Sequence, residues 1–470
     1  MMGPSLISAG GRGADVVVTD GYVDVGAMRM AWGKADSPTS GVSTVNFPAP
    51  FAAPPVVQLT GVGPAAGITP KVITTTGFVV GEVNSRSNPM PFGWMAIGQN
   101  PDAAPAPSAA FDVPGLPVWS AAVRAQRAGL RPAKVLCIGD STTAGHGAVA
   151  ADMGSNAKSA SYPTQLAERF VAKGSAASWA SFLGNQVTFD VPGYDNRITI
   201  GAGWTTTANG YGQMLGGYGM ISAETTRTRF APTSTVDTFE IYTLQRLAST
   251  APMFVVSVDD VDVSTIWSVH SQDAPGILMK TVVKTSLGTH SVAVRSVATN
   301  INVQLAGILA YNSVAPEICV LNAGWAGGKA SSFANGQSLA WSPLSSIAIH
   351  NADLVIINLG INDMNQATPT TKVAYVSQMQ EIITAAVSTG ADVVLVIPNA
   401  IGGTYTANHE VFAGYIQELA AANGLTVVDV RTKLGTYAAA NVAGYMRDTV
   451  HPTGSGYLEI AEAIQEVIMP

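Results

Sequence analysis

The chain is poor in charge and in cysteine. Of its 470 residues only 12% are charged, the net charge is −7, and lysine and arginine form no run. Binding to nucleic acid or to an anionic membrane needs a dense positive patch, so neither partner is expected. The two cysteines, Cys137 and Cys319, lie in apolar runs outside any CxxC motif. They are predicted to be buried, reduced thiols, and no metal or other cofactor is predicted.

Long apolar segments are absent as well. No stretch reaches the ~18 apolar residues that a membrane-spanning helix needs, so no membrane insertion is expected. The first ten residues lack the basic and apolar regions of a secretory signal, which predicts a soluble protein without a Sec-type export signal. By contrast, 48 glycines, 27 prolines and 47% hydrophobic residues predict many turns and enough apolar surface for two or three domain cores.

One stretch organises the rest of the chain. Residues 134–143, Lys-Val-Leu-Cys-Ile-Gly-Asp-Ser-Thr-Thr, place four apolar residues before Gly-Asp-Ser. An uninterrupted apolar run is typical of a parallel strand that is buried on both faces. Ser141 would then stand at the carboxyl end of the strand, where open α/β sheets bind ligands. It is either a nucleophile or only the cap of the next helix.

Two later motifs favour the nucleophile. Residues 354–363, Leu-Val-Ile-Ile-Asn-Leu-Gly-Ile-Asn-Asp, predict a second buried strand that ends near Asn362. Further on, Asp448 lies three residues before His451. A serine hydroxyl needs a base within hydrogen-bond reach, which His451 can supply. A carboxylate three residues away can fold back onto the other ring nitrogen, so a Ser-His-Asp triad is possible.

These motifs, together with an apolar run that enters a glycine-rich turn at residues 318–328, resemble the four blocks of the SGNH hydrolases, also called the GDSL esterase/lipase superfamily. The resemblance implies that Ser141, Asp448 and His451 form the catalytic triad. It also implies three donors to the oxyanion of the attacked ester: the Ser141 backbone N–H, a glycine N–H from the second block, and the Asn362 side-chain amide.

The glycine donor has three candidates. Gly327 fits the family spacing best, while Gly324 and Gly328 stay open, and all of them also serve a tight turn. Thr142 replaces the usual leucine of the family, which counts against a lipase more than against the triad. No Gly-x-Ser-x-Gly motif occurs, so the α/β-hydrolase fold is disfavoured. Of the six histidines only His451 lies in a recognisable motif, and the other five are predicted to be surface or packing residues. His146, five residues after the serine in sequence, is the one exception to check.

The periodicity predicts an α/β protein with a flavodoxin-like, three-layer α/β/α core at residues 118–179 plus 317–470. Its helices are predicted at 119–128, 162–171, 373–388, 409–422 and 456–467, and its strands at 134–138, 318–321, 354–359, 393–397 and 426–428.

An insertion interrupts this core. Ser141 and Gly327 are 186 residues apart, far more than one helix and one strand require. Residues 180–316 show alternating strands at sandwich-like spacing and predict an inserted, jelly-roll-like β-sandwich. Aromatic residues between 194 and 218, Trp204 among them, suit stacking on sugars, or else belong to the core of the module. A separate module could be deleted without unfolding the core, whereas a module that completes the core could not.

The N-terminal residues 1–99 are also β-rich, with short strands separated by proline and glycine. Residues 26–99 resemble the H-type lectin-like domain, a six-stranded β-sandwich often found near the tips of phage tail fibres. The alternative is an unrelated β-module that packs or oligomerises. A linker rich in proline and alanine, residues 100–117, follows and predicts a domain boundary.

Together these features predict a serine esterase that removes O-acyl groups, with acetyl favoured, from a polysaccharide. The expected partner is an acylated polysaccharide or bacterial surface glycan, and the chain is expected in a homo-oligomer or a phage tail or tail-like particle. Two alternatives stay open: a non-catalytic, glycan-binding adhesin on a degenerate hydrolase scaffold, and an esterase or lipase that acts on small acyl esters.

Overall fold

The structure is a computed structural model that divides into two compact units, Met1–Ser108 and Ala109–Pro470. It describes residues 21–25, 28–36, 42–48, 51, 55–61, 70–74, 77–81, 91–99, 111–184, 191–206, 213–245, 252–267, 277–334 and 341–469. The chain start and most of the predicted linker, residues 100–110, therefore lie outside the described residues. In the part of the chain that is described, no helix has the length and apolar character needed to cross a membrane.

The first unit is a β-sandwich. Its strands are β1 (Gly21–Val25), β2 (Met28–Asp36), β3 (Val42–Asn46), β4 (Val56–Gly61), β5 (Pro70–Ile73), β6 (Gly77–Gly81) and β7 (Pro91–Gln99). One sheet has the order β1-β2-β7-β4 and the other β3-β6-β5. The ring of Phe47 lies 5.0 Å from Phe51, 5.8 Å from Phe78 and 5.6 Å from Trp94, measured between centroids. This buried aromatic cluster joins the two sheets, because Phe78 belongs to β6 and Trp94 to β7.

The second unit begins with the first part of an α/β core. Its elements are α1 (Pro117–Arg127), β8 (Ala133–Gly139), α2 (Ser141–Ala144), α3 (Tyr162–Ala172) and β9 (Ala177–Ser178). Every residue of β8 is buried, including Lys134, and the apolar run at residues 135–138 predicts this for most of the strand. Proline lies in the first turn of both α1 and α3, where its missing N–H costs no hydrogen bond.

The inserted segment folds as two antiparallel sheets. Its elements are β10 (Ser181–Leu183), α4 (Val191–Tyr194), β11 (Ile198–Thr199), β12 (Thr205–Thr206), β13 (Met220–Ser222), β14 (Thr228–Phe230), β15 (Val236–Gln245), β16 (Pro252–Val258), β17 (Val261–Trp267), β18 (Ile277–Gly288), β19 (Val292–Ser296) and β20 (Val303–Tyr311). One sheet has the order β12-β13-β20-β15-β18, with β10 also paired to β20, and the other has the order β11-β14-β19-β16-β17. Buried side chains such as Phe230, Phe239 and Phe254 fill a core of their own.

The remainder of the chain completes the α/β core. Its elements are β21 (Ile318–Gly324), α5 (Ala330–Ala334), α6 (Pro343–Ser346), β22 (Leu354–Asn358), α7 (Ile361–Met364), α8 (Lys372–Ser388), β23 (Asp392–Ile397), α9 (Ala407–Asn423), β24 (Thr426–Asp429), α10 (Arg431–Leu434), α11 (Tyr437–Val442) and α12 (Gly454–Ile468). The sheet is parallel, with the order β24-β23-β22-β8-β21-β9. Apart from the two-residue β9, this is the flavodoxin-like order, so the predicted α/β fold class is confirmed.

Apolar side chains cover both faces of the parallel sheet. Leu136 and Ile138 of β8 pack into one buried cluster, whereas Val135 and Cys137 of the same strand pack into the other. This alternation is what a strand between two helical layers requires. Cys137 and Cys319 are buried and free, and burial raises the pKa of the Cys137 thiol to about 12. Both cysteines therefore act as packing residues.

The inserted sandwich shares buried contacts with the α/β core. Leu183 and Leu244 of the insertion belong to the same buried cluster as Leu321 of β21. A buried ion pair also crosses between them, since Lys134 Nζ of β8 lies 2.8 Å from Glu240 Oε1 of β15. These contacts favour the alternative in which the module completes the core, and they place it in the same compact unit.

Candidate active site

Ser141 is the first residue of α2 and stands directly after the carboxyl end of β8. The cap of that helix is Asp140 and not Ser141, because Asp140 Oδ1 accepts both the backbone N–H and the hydroxyl of Thr142, each at 2.8 Å. Burial raises the pKa of Asp140 to about 7. The side chain of Ser141 is thus left for another partner.

That partner is His451. Ser141 Oγ lies 2.9 Å from His451 Nε2, although the two residues are 310 positions apart. His451 Nδ1 lies 2.8 Å from Asp448 Oδ2. Burial lowers the pKa of His451 below its usual range, although its hydrogen bond to Asp448 acts in the opposite direction. The imidazole is therefore neutral at neutral pH, which is the form that can accept a proton from a hydroxyl.

The short loop before α12 holds the acid and the base together. Asp448 Oδ1 accepts the backbone N–H groups of Val450 and His451, each at 2.7 Å, while its other oxygen receives the imidazole. Burial opposes the charged form of Asp448, but these donors outweigh it and hold the pKa of this carboxyl below its usual range. The carboxylate is consequently ionised and fixes the orientation of the histidine ring.

The glycine-rich turn after β21 separates the three glycine candidates. The Gly324 N–H donates to Asn322 Oδ1 and the Gly328 N–H donates to the Trp325 carbonyl, both at 2.9 Å. Gly324 is also required by packing, since a Cβ there would lie 2.1 Å from the Ala144 nitrogen. Gly327 has a φ of +77°, and a Cβ there would meet nothing within 4 Å. Its N–H has no acceptor among the described residues.

Asn362 follows β22 and is half-buried beside this turn. Its Nδ2 donates to the Gly328 carbonyl at 2.9 Å, which ties the amide to the glycine-rich turn. An amide nitrogen carries two hydrogens, so one donor remains. The backbone N–H of Ser141 likewise has no acceptor among the residues that the structure describes. Ser141, Gly327 and Asn362 therefore each have an N–H that could donate to a substrate oxygen, and they remain the candidate oxyanion donors that the family resemblance implies.

Two residues that support the site were not predicted from the sequence. Asp363 accepts the Ala330 N–H at 3.0 Å and the Thr370 hydroxyl at 2.8 Å, which anchors the segment that carries Asn362. Asn399 donates to the carbonyl of Val450 at 2.9 Å and so holds the loop that carries His451. Asn399 lies just past the carboxyl end of β23, and a polar residue at this edge was an available signal.

His146 contacts the predicted base directly. Its ring is stacked on that of His451, with centroids 3.9 Å apart and an angle of 10° between the planes. Potential ligand atoms of His146, Asp448 and His451 lie within 4.8 Å of one another, a spacing that metal sites also show. The lone pairs of an imidazole lie in the plane of its ring, so two nearly parallel rings do not direct them at one point. We therefore assign no metal to this group.

The insertion contacts the site from two sides. The Tyr194 hydroxyl donates to the Ala144 carbonyl at the end of α2, at 2.9 Å, and the Tyr218 ring packs edge-on against Trp325, 5.9 Å between centroids. Trp204 is buried, and its Nε1 donates to Thr226 O at 3.0 Å. These aromatic side chains, which the sequence offered for sugar stacking or for packing, are engaged in packing.

Comparison with known proteins identifies the chemistry. Residues 299–458 match the GDSL-like lipase/acylhydrolase family, a stretch that includes Gly327, Asn362 and His451. This stretch is a GDSL-like domain of the SGNH superfamily. The chain is a carboxylic ester hydrolase. The match begins beyond Ser141, and the inserted sandwich lies between this serine and the later motifs of the hydrolase. No curated protein matches the sequence of this hydrolase.

Solved structures with the same fold include a peptidoglycan O-acetylesterase. It is 15% identical to this hydrolase with a TM-score of 0.55, and the alignment covers 75% of this chain and 96% of the other. Shorter similarities extend to an acetyl xylan esterase (21% identity, 32% and 80% coverage, TM-score 0.28) and to an acetylxylan esterase from Geobacillus stearothermophilus (18% identity, 33% and 74% coverage, TM-score 0.28). At this identity, the first similarity shows a common fold.

Proposed function

We propose that this hydrolase is an SGNH-type serine esterase that removes O-acetyl groups from a polysaccharide. The observation that carries the proposal is the continuous hydrogen-bonded series from Ser141 Oγ through His451 to Asp448, with links of 2.9 and 2.8 Å. A hydrolase scaffold without activity does not need a neutral histidine within hydrogen-bond reach of both a serine and an ionised aspartate. The series therefore favours an enzyme over a non-catalytic adhesin.

The arrangement supports acyl transfer in two steps. His451 Nε2 takes the proton of the Ser141 hydroxyl as Oγ attacks the acyl carbon, and Asp448 stabilises the imidazolium that forms. His451 then returns the proton to the departing sugar oxygen, leaving acetyl-Ser141. A water molecule, deprotonated by the same imidazole, attacks the acyl carbon; the bond between that carbon and Ser141 Oγ then breaks, the imidazolium returns the proton to Oγ, and acetate leaves. The N–H groups of Ser141, Gly327 and Asn362 stabilise the negative charge that develops on the carbonyl oxygen in both steps.

The exposure of the triad supports the proposal that the substrate is bulky. The side chain of Asp448 is 44% exposed and that of His451 is 16% exposed, so the loop that carries them reaches the surface. A polymer can approach such a site without first entering a closed tunnel. The peptidoglycan O-acetylesterase with the same fold is named for O-acetyl groups on a polymeric glycan, and this also supports the acetyl substituent.

The N-terminal unit supports the proposal that the protein acts at a bacterial surface. Six of its strands, β2 to β7, lie within residues 26–99, the range that resembles the six-stranded H-type lectin-like domain. We propose that this unit binds a surface glycan as part of a phage tail or tail-like particle, with the chain as a homo-oligomer or tail subunit. The catalytic unit would then be held at an acetylated glycan of the host.

Acetate release from a set of substrates tests the proposed activity. O-acetylated peptidoglycan, acetylxylan and nitrophenyl esters of increasing acyl length are incubated with the full chain, and acetate or nitrophenol is measured. We expect release from at least one polysaccharide and a preference for the acetyl ester among the small substrates. Glycan binding without release would favour the adhesin, whereas faster turnover of long acyl chains would favour a lipase.

Asn362→Ala tests the oxyanion site. Because the amide acts mainly on charge that develops in the transition state, we expect kcat to fall roughly 10²–10³-fold with KM little changed. Kinetics on a small acetyl ester measure both constants. Asn365→Ala is the matched control, since Asn365 is a half-buried asparagine at the other end of the same short helix. A change confined to KM would instead indicate that Asn362 positions the substrate.

A further inference from the structure

The imidazole of His451 is covered on one face by His146. The two rings are 3.9 Å apart and nearly parallel, and His146 is itself half-buried. His146 follows α2, the helix that presents Ser141, whereas His451 precedes α12. The stack therefore joins the segment of the nucleophile to the segment of the base, in addition to the hydrogen bond between Ser141 Oγ and His451 Nε2.

Several contacts hold His146 in this place. Its backbone carbonyl accepts the hydroxyl of Tyr457 from α12 at 2.6 Å, and its Nε2 lies 3.2 Å from the carbonyl of Ala151. The guanidinium of Arg447, from the loop of the base, donates to the carbonyl of Gly147 at 3.0 Å. The two loops that carry the stacked rings are thus tied to each other by hydrogen bonds outside the rings.

Such a stack has two physical consequences. A neighbouring ring limits tilting of the imidazole out of the plane in which its nitrogens meet Ser141 and Asp448, as close packing restricts any buried side chain. In addition, two imidazoles in van der Waals contact resist carrying two positive charges, since like charges at this distance disfavour the second protonation.

We propose that His146 is a positioning residue: its ring holds the His451 imidazole between Ser141 and Asp448, and its positive charge at acidic pH keeps His451 in the neutral, proton-accepting form. The inference deepens the proposed function and rests on the role of His451 as base. It adds a residue that none of the four family motifs contains.

The groups that face His451 agree with this role. Asp448 comes from its own loop, while Ser141 and His146 come from α2 and the turn after it. The guanidinium of Arg447 is directed at backbone carbonyls. Burial lowers the pKa of His451, the hydrogen bond and charge of Asp448 raise it, and the charge of His146 lowers it. The charge of His146 is thus the neighbouring charge that opposes protonation of the base.

Two substitutions separate the ring from its charge. His146→Phe keeps a stacked ring and removes the charge, whereas His146→Ala removes both. The rate kcat/KM on a small acetyl ester is measured across the acidic range. In the plot of kcat/KM against pH, we expect His146→Phe to keep the plateau value within about threefold of wild type. We expect the acidic limb of the same curve, where the base becomes protonated, to move to higher pH by roughly half to one unit. We expect His146→Ala to lower the plateau value of kcat/KM about tenfold, because the imidazole of His451 is no longer held in line with Ser141 and Asp448.

His290→Ala is the matched control, because His290 also pairs with an aspartate, Asp259, but lies in the insertion. His290→Ala should change neither the plateau value of kcat/KM nor the position of the acidic limb. An acidic limb that stays in place in His146→Phe would overturn the proposed effect of charge. Equal losses in both His146 variants with an unmoved limb would reduce His146 to a structural residue.

A second measurement does not depend on activity or on the variants folding. The ring carbons of the histidines in the full-length protein are labelled and titrated by NMR. We expect the signals of His146 and His451 to titrate as a coupled pair, each in two steps. Independent single-step curves would overturn the inference even with an active triad. Full activity in Ser141→Ala, with coupled titration intact, would instead overturn the proposed function alone.

Discussion

Replacing Ser141 with alanine is expected to lower kcat for an acetyl ester by roughly 10⁴–10⁶-fold, because alanine lacks the hydroxyl that forms the acyl-enzyme ester in the proposed mechanism. The oxyanion donors and the binding surface remain, so a small residual rate over water is expected. The fold should be unaffected, since the helix cap is Asp140 and the described hydrogen bond of the Ser141 side chain goes only to His451. Steady-state kinetics and a thermal melt on the purified variant measure the two effects.

The control for this substitution is Ser159→Ala. Ser159 is also a serine in a short helix, the 3-10 helix Ala157–Ala160, and its hydroxyl donates to the Asn156 carbonyl at 2.8 Å. It should retain full activity. If Ser141→Ala kept more than a tenth of the wild-type rate, Ser141 would lose its role as nucleophile and the proposed mechanism would fail.

The elements of the α/β core are readable from sequence for a physical reason. A parallel strand covered on both faces must be apolar throughout, so the runs before Ser141 and Asn362 identify β8 and β22 directly. The helices follow from their periodicity, and α8 begins at Lys372 where the sequence predicts 373. Such signals are local, because each depends on what a segment itself must bury.

Long-range contacts leave no comparable signal. The stacking of His146 on His451 depends on how two loops approach each other, which periodicity does not encode. The sequence predicts a tight turn at Gly324, but the close approach of this residue to the backbone of Ala144 is seen only in the folded structure. The charge of Lys134 stands at the start of an apolar strand and gives no hint of a partner 106 residues away.

The insertion shows the same limit on a larger scale. Strand alternation predicts a sandwich near residues 180–316, and two antiparallel sheets are present between Ser181 and Tyr311. Alternation cannot tell whether the outer face of such a module meets solvent or another domain. Here Tyr194 bonds to the end of α2 and Tyr218 packs against Trp325 of the glycine-rich turn. The module therefore supports the geometry of the active site as well as its own fold.

The ion pair between Lys134 and Glu240 tests that coupling. Lys134 Nζ donates to both oxygens of Glu240, at 2.8 and 2.9 Å, and the Tyr242 hydroxyl donates to the same carboxylate at 2.6 Å. The two side chains are only 9% and 6% exposed. Glu240→Gln leaves a buried ammonium without a counter-charge, so we expect the free energy of unfolding to fall by about 3–5 kcal/mol. Chemical denaturation followed by tryptophan fluorescence measures it.

Two further variants make this result interpretable. The double variant Lys134→Met/Glu240→Leu removes both charges, and we expect it to recover most of the lost stability because a buried pair is often replaceable by apolar residues. Glu462→Gln is the control, since the Arg169–Glu462 pair is 34% and 32% exposed and should contribute less than about 1 kcal/mol. A double variant no more stable than Glu240→Gln would show that the tyrosine network, and not the ion pair, depends on Glu240.

The pH dependence gives an independent check with a defined sign. Burial would raise the pKa of Glu240, but Lys134 and the hydrogen bonds outweigh it and hold the pKa below its usual value. A depressed pKa stabilises the folded state above the normal pKa of the group, and this contribution is lost as the pH falls through the folded value. The difference in stability between wild type and Glu240→Gln should therefore be largest near neutral pH and shrink in acid. A difference that is constant with pH, or absent at pH 7, would mean that the insertion and the core are not coupled through this charge.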